Sequence, residues 1–266
     1  NISMVIEEAL KRAELDMPDI DAVAFTQGPG LVGCLHIGVQ AAKTLAWAFD
    51  KPLVPVHHIA GHIYANRFLT DLAFPLLALV VSGGHSELVY MKDEWSFQIL
   101  GTTQDDAIGE AGDKVGRVLG LPYPGGVYVD KLAKEGKPIY TLSKPKTEQA
   151  LDFSFSGLKS SVLQFIDRQK RQGLEFNAAD LAASYQETAL DALLLRARKA
   201  LTQYQPKQML LAGGVAANSR LREKIQEELA IEYPTIDFVI PPLSYCTDNA
   251  AMIGAAGYVA YKHGVR

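Results

Sequence analysis

Cysteine is nearly absent from this chain of 266 residues, which has only Cys34 and Cys246. Two thiols cannot build a disulfide framework. That excludes the small stapled secreted folds and makes a reducing, cytoplasmic setting the expectation. Long apolar runs are missing too. None approaches a membrane span and no signal peptide opens the chain, so no membrane association is expected. Positive charge is not in excess: the formal net charge is -4, so a nucleic-acid partner would have to use a local basic patch. No short-period repeat runs along the sequence, which argues against a solenoid. What is plentiful is apolar side chain, 48% of the residues, enough for one large domain or two modest lobes.

Periodicity divides the chain into alternating strands and helices. MVIEEALKRAEL is apolar at Val5, Ile6, Ala9, Leu10 and Ala13, a helical spacing with Ser3 as its possible cap. DIDAVAFTQGPG reads as a strand entering a Gly-Pro-Gly turn, LVGCLHIGVQAAKTLAWAFD as a long helix, PLVPV as a strand and HHIAGHIYANRFL as a helix. PLLALVVSGGHSELVYMKD has two strand-like halves around Ser82-Gly83-Gly84, the pattern of a hairpin. A strand at WSFQILGTT, helices at DDAIGEAGDKVGRVLGL and GVYVDKLAKEG, and an irregular polar stretch from Tyr140 to Phe155 follow. The remainder is a helix at DLAASYQETALDALLLRARKAL, a strand at QMLLAGG, a helix at NSRLREKIQEELA, a strand at DFVIPP and a closing helix at DNAAMIGAAGYVAYKHG. This order predicts a layered α/β fold, in which the glycine turns after strands line one edge where ligands bind.

Three of the six histidines fall within six residues, in VPVHHIAGHIYANRF. On a helix His58 and His62, four apart, share a face, and their imidazoles can converge on one ion, or one can be a surface residue and the other a satisfied core histidine. Asp248, which opens a helix after a strand, can supply a third ligand or serve as an ordinary N-cap. The spacing resembles the H-E-x-x-H of zinc proteases, but the glutamate that acts there as general base is replaced by Ile59. Transfer chemistry is therefore favoured over peptide hydrolysis. The turns Ser82-Gly83-Gly84-His85 and Ala212-Gly213-Gly214-Val215 allow close backbone approach and can cradle phosphate. Tyr123-Pro124-Gly125-Gly126 adds a third such turn. Asp113 and Asp130, in the helices around that third turn, can accept from a ribose or lie on solvated faces, and Asn218 can cap a helix or contact a base. LSKPKTEQALDFSFSGLKSSV interleaves Lys144, Lys146 and Lys159 with Phe153 and Phe155, followed by Arg168, Lys170 and Arg171. That mixture suits an RNA strand, and equally a surface loop with ordinary lysines.

Taken together and in this order, TQGPGLVGCLHIG, VPVHHIAGHIYA, LVVSGGHSELV, GEAGDKVGRVLGLPYPGG, FSFSGLKSSV, LLAGGVAANSRLR and CTDNAAMIGAAG resemble the bacterial TsaD family, once known as O-sialoglycoprotein endopeptidases. The resemblance spans essentially the whole chain. It implies a two-lobed α/β fold of the actin, sugar-kinase and Hsp70 type (ASKHA), built from RNase-H-like lobes. Residues 1–74, with 250–266 returning, would form the first lobe and 75–249 the second. The first lobe would be incomplete at its N-terminus, because the family begins with further strands and an E-T-S-C-D-E-T turn. The implied reaction is transfer of threonylcarbamoyl from threonylcarbamoyl-AMP to N6 of adenosine 37 in tRNAs that read ANN codons. The alternatives are a metalloprotease and a nucleotide-hydrolysing regulator on the same fold.

By the same resemblance, His58, His62 and Asp248 match the family's ligands for one divalent ion, Fe2+ or Zn2+. Ser82, Gly83, Gly84 and His85 match the phosphate-facing loop, Asp113, Gly126 and Asp130 the ribose contacts, and Gly213, Gly214 and Asn218 the adenine side. Gly112 stands where an aromatic is usual and Val127 where proline is common. The implied partners are tRNA, a shorter inactive paralogue (TsaB), a small P-loop ATPase (TsaE) and a separate synthase that makes the donor. The helix near the start can be part of the pairing surface, or can simply pack onto the sheet.

Overall fold

The structure is a computed structural model that describes residues 2–144 and 146–266. The chain forms two compact units. One runs up to Thr70 and resumes at Asp248–Arg266; the other is Asp71–Thr247. The return to the first unit thus starts at Asp248, ahead of the expected position 250.

The first unit contains α1 (Ile2–Ala13), β1 (Val23–Gly28), α2 (Val32–Ala48), β2 (Leu53–His57) and α3 (His58–Tyr64). Ser3 is the second residue of α1 and does not cap it. Strands β1 and β2 pair in parallel, from Val23 opposite Leu53 to Thr26 opposite Val56. The alternation in β2 buries Val54 and Val56, as a strand with one covered face requires.

The second unit opens with β3 (Leu76–Val81), β4 (Ser86–Met91) and β5 (Gln98–Thr102). Helices α4 (Ile108–Val118), α5 (Gly125–Ala133), α6 (Ser156–Gln172) and α7 (Ala178–Tyr204) follow. Next come β6 (Gln208–Ala212), α8 (Ser219–Lys224), α9 (Ala230–Glu232), β7 (Asp237–Val239) and α10 (Leu243–Cys246). A single π turn, Ile225–Leu229, joins α8 to α9. The last helix, α11 (Ala250–Lys262), belongs to the first unit.

Five strands form one mixed sheet in the order β5-β4-β3-β6-β7. The hairpin expected around Ser82-Gly83-Gly84 is present, with Val81 opposite Ser86. β6 lies parallel to β3 on its other side. Every residue of β3 and β6 is buried. Central strands covered on both faces read as continuous apolar runs, which is why LLALVV shows no alternation.

Two findings correct the sequence reading. The stretch after Phe155 is a helix, α6, whose Leu158, Ser161, Val162 and Phe165 face the core. Phe153 and Phe155, read as possible base-stacking residues, are buried, with their own rings 6.1 Å apart. They anchor α6 and are not available to RNA.

The start of α6 is held from a distance. Asp105, in the turn after β5, accepts from the Phe155 and Ser156 amides at 2.8 and 3.2 Å and from the Ser154 and Ser156 hydroxyls at 2.6 and 2.7 Å. Burial pushes this carboxyl up, but the two hydroxyls and two amides outweigh it and hold Asp105 below the ordinary aspartate range. A carboxyl depressed in the folded state stabilises above its unfolded-state value, about 3.9, and that contribution is lost as pH falls through the folded value. Asp105→Asn is therefore expected to cost about 1 kcal/mol of unfolding free energy at pH 7. In urea titrations its gap from wild type should close on acidification below about pH 4; a gap unchanged at pH 2 would contradict this account.

Candidate metal centre and nucleotide-facing turns

β2 ends at His57, and α3 begins with His58 at once, so the chain turns from strand to helix at the histidine cluster. One helical turn later comes His62, buried, while the His58 side chain is 18% exposed. α11 packs against α3, and Gly61 makes that approach possible: a Cβ there would lie 2.8 Å from Ile253 Cδ1. The segment entering α11 is thereby carried to the histidines.

Asp248 is the residue that arrives. Its Oδ1 lies 3.4 Å from His58 Nε2 and 3.2 Å from His62 Nε2. The two imidazoles stand edge to face, 4.7 Å apart at 85°. Asp248 is not the helix cap. That role falls to Asn249, whose side chain accepts from the Met252 amide at 2.9 Å. The carboxylate one residue upstream is thus released from capping and points at the imidazoles.

The three groups fit a metal. One ligand atom from each lies within 4.8 Å of the others. For bonds of 2.0–2.1 Å, the edge of a tetrahedral ligand set is about 3.3 Å, and the two printed separations, 3.2 and 3.4 Å, bracket it. Two imidazoles and one carboxylate suit zinc or iron(II) with positions left open, and suit magnesium poorly. Ile59, where a metalloprotease would carry its glutamate, is buried in the core. That position supplies no base.

In the second unit the glycine turns share one end of the sheet. Ser82-Gly83-Gly84-His85 closes the β3–β4 hairpin, with the His85 amide donating to Ser82 Oγ at 3.0 Å and the Ser82 amide to the His85 carbonyl at 2.8 Å. Gly213 follows β6, the parallel neighbour of β3, at φ +91°. A Cβ there would meet the Val81 carbonyl oxygen at 2.3 Å, so both conformation and space demand glycine. The first turn of α4 packs on the same loop: a Cβ at Gly109 would sit 2.6 Å from the Ser82 carbonyl oxygen.

The carboxylates of this unit have defined partners. Asp113 Oδ1 accepts from the Gly126 amide at 2.9 Å, tying α4 to the start of α5. Asp130 Oδ1 accepts from Gln186 Nε2 at 2.8 Å and from the Ser219 hydroxyl at 3.0 Å, and Oδ2 accepts from the Ser219 amide at 3.3 Å. Neither is merely a solvated helix face. Asn218 caps α8, accepting from the Leu221 amide at 2.9 Å. Gln186 and Ser219 were not singled out in the sequence. Ser219 adjoins Asn218, but Gln186 carries no local signal because it acts across the fold from α7.

Comparison with known proteins follows the same pattern. The family model for tRNA N6-adenosine threonylcarbamoyltransferase matches residues 1–255. The protein of that name from Bacillus cereus is 57% identical over 266 residues, all of this chain and 77% of the relative. Its counterpart in Listeria monocytogenes is 56% identical over the same shares. Among solved structures, HypF in its phosphate- and nucleotide-bound form superposes with a TM-score of 0.71 at 15% identity, covering 98% of this chain and 49% of HypF. The ADPNP-bound activator of 2-hydroxyisocaproyl-CoA dehydratase from Clostridium difficile gives 0.52 at 14% identity, covering 98% and 81%. These two likenesses concern the fold alone, a mixed α/β one. With the family model and both relatives in agreement, the chain belongs to the tRNA N6-adenosine threonylcarbamoyltransferase family.

Proposed function

We propose that this chain transfers the threonylcarbamoyl group of threonylcarbamoyl-AMP to N6 of adenosine 37 in ANN-reading tRNAs, with one Fe2+ or Zn2+ held by His58, His62 and Asp248. The convergence of two Nε2 atoms on a single Asp248 oxygen, at 3.2 and 3.4 Å, carries the reading; family membership supports it.

The chemistry sets what the residues must do. The N6 lone pair of adenine is delocalised into the ring, so the nucleophile is weak and the acyl donor must be activated. A mixed anhydride with AMP meets that need, because AMP leaves well. What a divalent ion supplies when bound is Lewis acidity toward the donor's oxygens. The backbone N–H groups of the Ser82–His85 loop would take the phosphate charge as the leaving group departs. Asp113 and Gly126 would position the ribose. Asp130, whose two oxygens accept from Gln186 and Ser219, has lone pairs left for a ribose hydroxyl. Gly213 and Gly214 would let the backbone approach the adenine. Asn218 spends its side-chain oxygen on the Leu221 amide, leaving its NH2 to donate to the base.

In the same reading the chain acts in the cytosol, where its tRNA substrates are. It pairs with a shorter inactive paralogue and a small P-loop ATPase, and it receives its donor from a separate synthase. Within this reading α1 is the candidate for the pairing surface.

Two outcomes test the assignment. With preformed donor and tRNA, incorporation of labelled threonine should fall at least about 100-fold in His58→Ala and in His62→Ala, each still folded by circular dichroism. Full activity in the double variant would contradict the proposed centre. Asp130→Asn should raise KM for the donor about 10-fold, the scale of one lost hydrogen bond to a charged group, with a smaller change in kcat. Turnover of ATP without tRNA, and no labelled tRNA, would favour a nucleotide-hydrolysing regulator instead.

A further inference from the structure

The second unit treats its cations in two ways. On α7 and α8, Lys224, Arg220 and Arg198 are neutralised. Lys224, buried, lies within 2.9–3.0 Å of Glu187, Asp191 and Glu228. Arg220 pairs with Glu187, Glu223 and Glu227, and Arg198 with Glu228 and Glu232. Lys144, Lys146, Lys159, Arg168, Lys170 and Arg171 differ. Among the described residues none of these six makes an ion pair with a carboxylate. All but the half-buried Lys159 are exposed. Glu148, Asp152 and Asp167 lie in the same stretch of sequence, leaving it a net excess of positive charge in a chain whose formal net charge is -4. Asp152 is already engaged, accepting from the Thr102 amide and from Gln104 Nε2.

Residues on either side of Lys144 and Lys146 have defined partners. Upstream, the Ser143 amide donates to Ser161 Oγ on α6 at 3.0 Å, and the Tyr140 ring packs on Phe165 at 4.6 Å. Downstream, Arg196 donates to Thr147 Oγ1 at 3.2 Å and to the Asp152 carbonyl at 3.1 Å. The Ser143–Ser161 bond also places this loop beside the α6 turn that follows Lys159. Arg168 and Arg171, three apart, share with Ser161 one side of α6. Arg168 lies over the Phe165 ring, 5.6 Å from its centre, which keeps its guanidinium against the helix. Uncompensated cations along a helix and in the segment beside it are suited to a polyanion backbone, because phosphate contacts there break no existing ion pair.

We propose that Lys144 and Lys146, with Arg168 and Arg171 on the side of α6 that carries Ser161, form a docking surface for the phosphate backbone of the acceptor tRNA. The proposal rests on the transfer reaction above and adds where its RNA substrate is held. The contact is electrostatic and carries no base readout, since Phe153 and Phe155 are in the core.

The test is steady-state transfer with saturating donor, measured against tRNA concentration at several salt concentrations. The variants are Lys144→Ala/Lys146→Ala, Arg168→Gln/Arg171→Gln and the combination of all four. The combined variant should raise KM for tRNA at least about 10-fold near 150 mM salt, with kcat unchanged, and its affinity should depend less steeply on salt, by about 0.7–0.9 in log–log slope per phosphate contact removed. Lys199→Ala/Lys207→Ala, two exposed lysines of the same unit outside this face, should leave KM in place. If wild type is active and the combined variant keeps both its KM and its salt slope, the docking surface is wrong and the reaction stands. If wild type fails to modify tRNA at all, the functional reading falls and the docking proposal with it.

Discussion

Three lone-pair donors brought to one point are the constraint on which this account rests. Two imidazole nitrogens facing one carboxylate oxygen at 3.2 and 3.4 Å leave room for a proton or a cation between them. The geometry is produced by packing rather than by local sequence. α3 supplies both imidazoles from one face, and Gly61 lets α11 approach closely enough to bring in the carboxylate. Asn249 then takes over capping of α11, so Asp248 need not satisfy the helix's amides. A larger residue at position 61, or loss of the cap, would disturb the centre without touching a ligand.

The second unit meets its own constraint with glycine and with half-buried hydrogen bonds. Adjacent parallel strands β3 and β6 each run out into a glycine turn, and Gly213 lies so close to the Val81 carbonyl that no side chain fits. Asp113 and Asp130 are held by Gly126, Gln186 and Ser219, so the carboxylates assigned to the ribose are ordered before any ligand arrives. Preorganised acceptors lose little freedom on binding.

Much of this was legible in the sequence, and the exceptions have identifiable causes. The i, i+4 histidines, the hairpin and the glycine turns are local patterns, and they appear where the spacing put them. Asp248 was ambiguous because ligation and capping ask for the same residue type; only the structure shows that its neighbour Asn249 does the capping. α6 escaped notice because Ser156, Gly157, Ser160 and Ser161 dilute its apolar spacing, and because its cap, Asp105, lies far upstream. Phe153 and Phe155 looked like stacking residues among lysines, yet all the surrounding cations but half-buried Lys159 are exposed and the rings are not. Gln186 acts on Asp130 from another helix, a relation no window of sequence contains.

The most direct measurement is metal analysis joined to X-ray absorption on the purified chain. The account predicts one iron or zinc per chain whose first shell contains two imidazoles and a carboxylate oxygen, reduced to background in the His58→Ala/His62→Ala double variant. A chain that binds no transition metal, or one whose metal content and first shell are unchanged in that variant, would contradict it.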